Sequence, residues 1–196
     1  MGQLEITNNN KSQYIFLLLR YNCLFTFIVT NVSNYQILPI KEEHIEGFRA
    51  AVDSVAREHK YLAFLEGPPI EMTQSFVLEN IQGDWPHFVV LVEGKVVGWC
   101  DITSLHRHAF AHSGSLGIGV LAPYRGQGIG VALIRAALNK AKAIGLTRIE
   151  LTVRENNKVA IALYEKHGFL IEGLHRNAVR IGTEYENQIS MALLYE

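Results

Sequence analysis

Two cysteines, Cys23 and Cys100, are all that 196 residues contain. That is too few for a disulfide framework and fits a reducing compartment, the cytoplasm. Excess basic charge is absent as well: 18 Lys and Arg stand against 19 Asp and Glu, for a net charge of −1. A nucleic-acid partner ordinarily needs a basic patch, so that class of function is set aside. No Gly-Lys-Ser/Thr precedes a helix, which removes the Walker phosphate loop. His106, His108 and His112 fall close together, but no cysteine or carboxylate completes a tetrahedral set near them. They are read as solvated loop residues, and no metal is expected.

A clean membrane span is lacking too. Tyr14 to Val32 has the length for one, yet Arg20 falls inside it. A central Arg costs ~2.5–3.5 kcal/mol on insertion scales. No small-residue cleavage site follows, which argues against a signal peptide. The β-branched and aromatic residues there suit a strand or a buried arm. The expectation is an accessory extension over 1–34, no membrane association, and one domain with a sizeable core over 35–196.

What is present is a strand, a glycine turn and a helix. Ser113 to Val120 reads as a strand, Leu121 to Tyr124 as a turn, and Val131 to about Ile144 as a helix. Between them stands Arg125-Gly126-Gln127-Gly128-Ile129-Gly130, and Arg148 to Val153 forms the next strand. Glycines at such a junction let the backbone approach a ligand closely, with N–H groups that have no intrahelical partner. The positive end of the helix dipole lies behind them, so a pyrophosphate fits, and Arg125 can add a charge-assisted hydrogen bond. Read alone, the glycines are equally compatible with a plain tight turn. A dinucleotide fingerprint fits less well: it wants a glycine where Val131 sits and a shorter connection, although Glu150 imitates its ribose-binding acid.

These residues resemble the GNAT (Gcn5-related) N-acetyltransferases. Their signature Arg/Gln-x-x-Gly-x-Gly/Ala is matched by Arg125, Gly128 and Gly130, and their Asn…Ala-x-x-Leu-Tyr-x-x-x-Gly-Phe segment by Asn157 through Tyr164 to Gly168 and Phe169. The resemblance covers Tyr35 to Glu196, in particular to small bacterial members that acetylate amino acids or related amines. It implies an α/β (α+β) fold with a central, mostly antiparallel, splayed β-sheet flanked by helices. It implies acetyl-CoA as co-substrate and acetyl transfer to a primary amine of a small molecule such as an amino acid. Homodimers are common in the family. Two alternatives stay open: a protein N-terminal acetyltransferase of the ribosomal-protein type, and a non-catalytic acyl-CoA sensor.

The resemblance also assigns residues. The coenzyme would lie against the main chain of Ile118, Gly119 and Val120, against Arg125, Gly126, Gln127, Gly128, Ile129 and Gly130, and against Asn157 and Tyr164. A backbone N–H near Val120 would polarise the carbonyl, and Tyr164 would protonate the departing sulfur. Asn157 reads equally as a helix N-cap. Where many members carry a glutamate before the glycine loop, this chain has Gly114, so the base stays open between His112 and Glu150, directly or through water. Glu66 and Glu71, around the Pro68-Pro69 loop, are candidates for holding an ammonium. Glu42 to about Lys60 reads as an amphipathic helix, Thr73 to Ile81 as a second helix, and Leu174 to Arg180 with Tyr185 to Leu194 as a hairpin, with Asn177 and Tyr185 near its loop.

Overall fold

The computed structural model describes residues 35–104 and 108–195. The extension read over 1–34, and His106, lie outside the described residues. Strand β1 is Gln36–Pro39, followed by helices α1, Ile45–Ala56, and α2, Ile70–Gln82. Strands β2, His87–Val92, β3, Lys95–Ser104, and β4, Ser113–Val120, lead to helix α3, Ile129–Ala143. Strand β5, Arg148–Arg154, helix α4, Lys158–Lys166, and the hairpin β6, Leu170–Ile181, with β7, Glu184–Leu194, complete the chain.

The apolar patterns fix which side each helix covers. In α1, Ile45, Phe48, Val52 and Val55 recur at helical spacing and pack with Val77 of α2 on Val89 and Trp99. In α3, Leu133, Ile134, Ala137 and Ala141 form the facing stripe on the opposite side, over Cys100, Ile102, Ile149 and Leu151. Successive residues of a strand face opposite ways. Trp99 therefore meets α1 and α2, and Cys100 meets α3 and α4. Cys100, the single described cysteine, is thus a core residue.

The sheet order is β1-β2-β3-β4-β5-β7-β6. Every neighbour pair is antiparallel except β4 with β5. That parallel pair is short: it joins Ser113–Ser115 to Arg148–Glu150 and stops. Beyond those rungs the two strands part. This is the mostly antiparallel, splayed sheet expected from the sequence.

Some boundaries differ from the sequence reading. The helix read from Glu42 to Lys60 begins as a 3-10 turn, Glu42–His44, and ends at Ala56, short of His59 with its φ of 55°. Helix α2 begins at Ile70 rather than Thr73, because the Thr73 N–H already bonds back to the Pro69 carbonyl. Among the described residues no helix is long and apolar enough to cross a membrane.

Candidate active site

The glycine turn has the form read from the sequence. Gly126 and Gly128 adopt φ of 73° and 81°, a region open to glycine, and neither has anything within 4 Å of where a Cβ would stand. Gly128 is the N-cap of α3, and the first helical bond back to it runs from the Ala132 N–H to the Gly128 carbonyl. The N–H groups of residues 126–131 find no acceptor among the described residues. A run of free donors at the positive end of a helix is an anion cradle.

The open edge beside it follows from hydrogen-bond alternation. The Leu121 N–H donates to the Val97 carbonyl at 2.9 Å. Residues that exchange bonds alternate along an antiparallel ladder. Ser115, Gly117 and Gly119 therefore turn their main-chain groups to β3; Leu116 closes the last rung with Glu150, and Ile118 and Val120 turn theirs to the edge that β5 has left. The Glu155 N–H to Asn187 bond fixes β5 in the same way, so Thr152 and Arg154 face that edge from the other side. Of the three residues expected to present main chain to a ligand, Ile118 and Val120 turn theirs to the open edge. Gly119 does not, and the expectation is corrected: its amide lies in the β3 ladder, and what it contributes is the lack of a side chain. A Cβ there would stand 2.2 Å from the Trp99 ring.

Arg125 also differs from expectation. Its Nε donates to the Val120 carbonyl at 2.7 Å, and its two terminal nitrogens donate to the two Glu58 carboxylate oxygens at 2.8 and 2.5 Å. The guanidinium lies 4.8 Å from the Tyr61 ring centre. All three nitrogens are engaged in tying Glu58, just after α1, to the end of β4. Glu58's carboxyl is held below the usual range, first by the Arg125 hydrogen bonds, with burial opposing. A depressed folded-state value means this pair stabilises fully above the ordinary glutamate range and loses its effect as pH falls through the folded value. A double-mutant cycle of Glu58→Gln and Arg125→Met should give a coupling of about 1 kcal/mol at pH 7. Thermal unfolding at pH 3 should find most of it gone.

Tyr164 projects from α4 into the α3-side core, 7% exposed, with its ring 5.8 Å from Phe169. Burial is the main force raising its phenol above the usual tyrosine range, with Cys100 beside it adding to the shift. Its hydroxyl has no hydrogen-bond partner among the described residues. Cys100 stands opposite Ile118, so the phenol comes up beneath the open edge. Asn157 caps α4, accepting the Ala160 N–H at 3.2 Å. Gln127 donates its amide to the Pro123 carbonyl and leaves its own Oε1 buried without a partner.

The remaining candidates sit elsewhere. His112 precedes β4, is exposed, and its carbonyl takes the N–H groups of Thr147 and Arg148. That is the closed end of the β4–β5 pair, roughly 26 Å along the strand from Val120, so its side chain is not brought to the edge. Glu150 occupies the last paired rung and accepts from Arg148 Nε at 3.1 Å. Glu66 runs back along α1, exposed, 3.5 Å from Arg57, and Glu71 is exposed on the first turn of α2 among Met72, Ser75, Phe76 and Glu79. Neither glutamate touches β4 or β5. The loop after α1 reaches the sheet instead through the carbonyls of His59 and Leu62, which accept from Arg154 Nη1 and Nη2 at 2.9 and 3.0 Å. Asn177, at φ 52°, forms a bulge held by Asn187 Oδ1, and Tyr185 lies against Arg180. No group of His, Cys, Asp and Glu among the described residues is placed to hold a metal ion.

Two charged residues that the sequence reading passed over stand out. Arg154 is 1% exposed and joins β5 to the α1–α2 loop and to Glu186 of β7 at 3.0 Å. Asp101 is 8% exposed on β3. Its signal was readable: it is the lone charge between Val96 and Ile102 in a strand otherwise apolar or glycine. Glu58 and Arg154 carried no such signal, since their partners lie far away in the chain.

The fold and sequence around this edge are similar to those of known proteins. Residues 49–169 match the sequence profile of the Acetyltransferase (GNAT) family. The chain is 36% identical over 170 residues to the uncharacterized N-acetyltransferase MJ1207 of Methanocaldococcus jannaschii, covering 82% of this chain and 70% of that protein. The chain belongs to the GNAT acetyltransferase family. Over 105 residues it is 33% identical to the L-amino acid N-acetyltransferase AaaT of Escherichia coli, covering 53% of this chain and 65% of that protein, just under two thirds of its length. Among solved structures, the acetyltransferase of GNAT family from Streptococcus pneumoniae matches with a TM-score of 0.77 and 27% identity, over 83% of this chain and all of that one. A phosphinothricin acetyltransferase from Sinorhizobium meliloti, solved in complex with AcCoA, shares the fold at a TM-score of 0.77 and 17% identity, over 82% of this chain and 88% of that one.

Proposed function

We propose that this chain transfers an acetyl group from acetyl-CoA to the primary amine of a small molecule such as an amino acid. The observation that carries the reading is the unpaired edge of Ile118 and Val120 running directly into the free N–H groups of residues 126–131. An extended pantetheine arm adds to such an edge as a further strand would, and its diphosphate takes the cradle. The residues present therefore fit the co-substrate. The reading assigns the chemistry to residues 35–196 and places it in the cytoplasm.

Each residue then has a task. The Val120 N–H faces the edge and can donate to the thioester oxygen, while its carbonyl is taken up by Arg125. Tyr164 lies on the α3–α4 side, where its raised phenol keeps its proton until a thiolate is ready to receive it. The amine comes from the opposite side, past Thr152 of β5 and the α1–α2 loop. Holding amine and carbonyl at attack distance between two faces of one sheet contributes up to ~7–11 kcal/mol in favourable cases. The similarity to an L-amino acid N-acetyltransferase supports the choice of acceptor.

Two measurements test the reading together. Calorimetry should find acetyl-CoA binding at micromolar to submillimolar ligand. A coenzyme-release screen over amino acids, polyamines, aminoglycosides and short peptides should single out one class. Preference for peptides would favour the protein N-terminal alternative, and binding without any turnover would favour a sensor.

A further inference from the structure

We propose that Asp101 is the group that holds the acceptor's ammonium and takes its proton, working across β4 through the gap that Gly117 leaves. The proposal rests on the acetyl-transfer reading. It concerns a residue on β3, a strand from which the sequence offered no catalytic candidate.

The geometry is a consequence of two alternating glycines. Asp101 pairs with Gly117 and Trp99 with Gly119, so all four positions share the face toward α1 and α2. A Cβ on Gly117 would meet Asp101 Oδ1 at 3.1 Å and Oδ2 at 3.2 Å, and one on Gly119 would meet the Trp99 ring. Both β3 side chains thus lean over β4, toward the edge where it has parted from β5. Neighbouring strands are ~4.8 Å apart, so a carboxylate lying over β4 is within hydrogen-bond reach of a nitrogen at that edge. Tyr164 serves the same edge from the other face, which separates the site of proton loss from the site of proton gain.

Asp101 is more than nine-tenths buried and has no hydrogen bond or ion pair among the described residues. Buried carboxylates ordinarily have partners, and an unpartnered one aimed at a substrate channel calls for a cationic ligand. Its surroundings supply no fixed cation. From β2, His87 stands in register with it, buried and pushed down to about 3 by desolvation, with Nδ1 on the Asn80 amide at 3.1 Å and Nε2 without a partner. From α1 the facing residues are Ile45, Phe48 and Val52, and from α2 they are Thr73, Val77 and Asn80. β4 offers Ser115 and Gly117. From β5, Glu150 and Arg154 are on the same face, already paired with Arg148 and Glu186. Cys100, next in the chain, faces α3. Burial alone raises Asp101 to about 7, so near neutral pH it exchanges a proton readily.

The proton inventory closes. The ammonium gives one proton to the Asp101 carboxylate, leaving a neutral amine and a carboxylic acid. The nitrogen lone pair forms the C–N bond, and the C–S bond breaks with its electrons going to sulfur. Asp101 passes that proton to water and takes the second from the nitrogen, which it also releases, while Tyr164 protonates the sulfur and is itself reprotonated from water. One amide, one thiol and one released proton result.

The test uses the full chain, acetyl-CoA and the fastest amine of the screen. Asp101→Asn should lower kcat/KM by about 100-fold or more and remove an acid limb centred near pH 7, with acetyl-CoA affinity unchanged by calorimetry. The rate should recover in part at pH 9–10, where free amine is abundant. A second readout is independent of turnover. With a folded-state value raised to about 7, the native protein loses stability as pH rises from the ordinary carboxylate range to about 7, where only the unfolded chain has given up the proton, and the loss is complete above that. Asp101→Asn should therefore unfold at a higher temperature than the unaltered protein at pH 8, and the gap should shrink at pH 5. If Asp101→Asn keeps its rate within threefold and its acid limb, or if Glu150→Gln loses more than Asp101→Asn does, the proposal is overturned while acetyl transfer stands. If the unaltered chain binds acetyl-CoA and turns over no amine, both fall.

Discussion

Gly128→Val is expected to raise the Kd for acetyl-CoA by more than about 100-fold while leaving the sheet intact. Two effects act together. At φ 81° a β-branched residue is strained, by about 1–2 kcal/mol or more, so the start of α3 must shift to relieve it. The added methyls also enter the space above Gly128, which is empty and is where an anion must come to meet the free N–H groups of residues 126–131. Hydrogen bonds to a charged group are worth about 1.5–3 kcal/mol each, so losing two removes two to four orders of magnitude in affinity. Circular dichroism should show the helix and sheet content retained, and calorimetry should show the loss. Gly128→Ala should fall between the two proteins. An unchanged Kd in the valine variant would mean that the diphosphate sits elsewhere.

Tyr164→Phe should lower kcat by about 100- to 10,000-fold with acetyl-CoA affinity within threefold of the unaltered protein. The hydroxyl is bound to nothing among the described residues, so its removal leaves the ring contact with Phe169 and the surrounding core as they are. Thermal stability should hardly change. The split between kcat and binding is what distinguishes an acid from a packing residue. Because burial is the leading cause of the raised phenol, the alkaline limb of kcat in the unaltered protein should lie above the ordinary tyrosine range. A loss below about fivefold would assign the departing sulfur's proton to another donor.

The parts of the site that were legible in advance are those whose geometry is local. The strand Ser113–Val120 has the bounds that its residues implied, and the glycine turn has the donors that its spacing implied. An N-cap such as Asn157 is likewise decided within a single helical turn. Arg125 looked like a phosphate ligand because its sequence neighbours are the cradle, but its partner Glu58 is 67 positions away. His112 looked like a base because it shares alternation with the strand, yet the register of β4 with β5 leaves it at the closed end. Gly119 needed the phase of the β3 ladder, which no single strand carries.

By itself the sequence determined the family, the sheet's strand-turn-helix centre and the free donors of the glycine turn, since backbone dihedrals, missing Cβ atoms and helix ends are set by adjacent residues. Tertiary structure alone decided where the buried charges stand. It brought Asp101 over Gly117, turned Arg125 to Glu58 and bound Arg154 to the loop after α1. Those choices depend on strand register and on which face a helix covers, and both are fixed by apolar contacts between segments far apart in the chain.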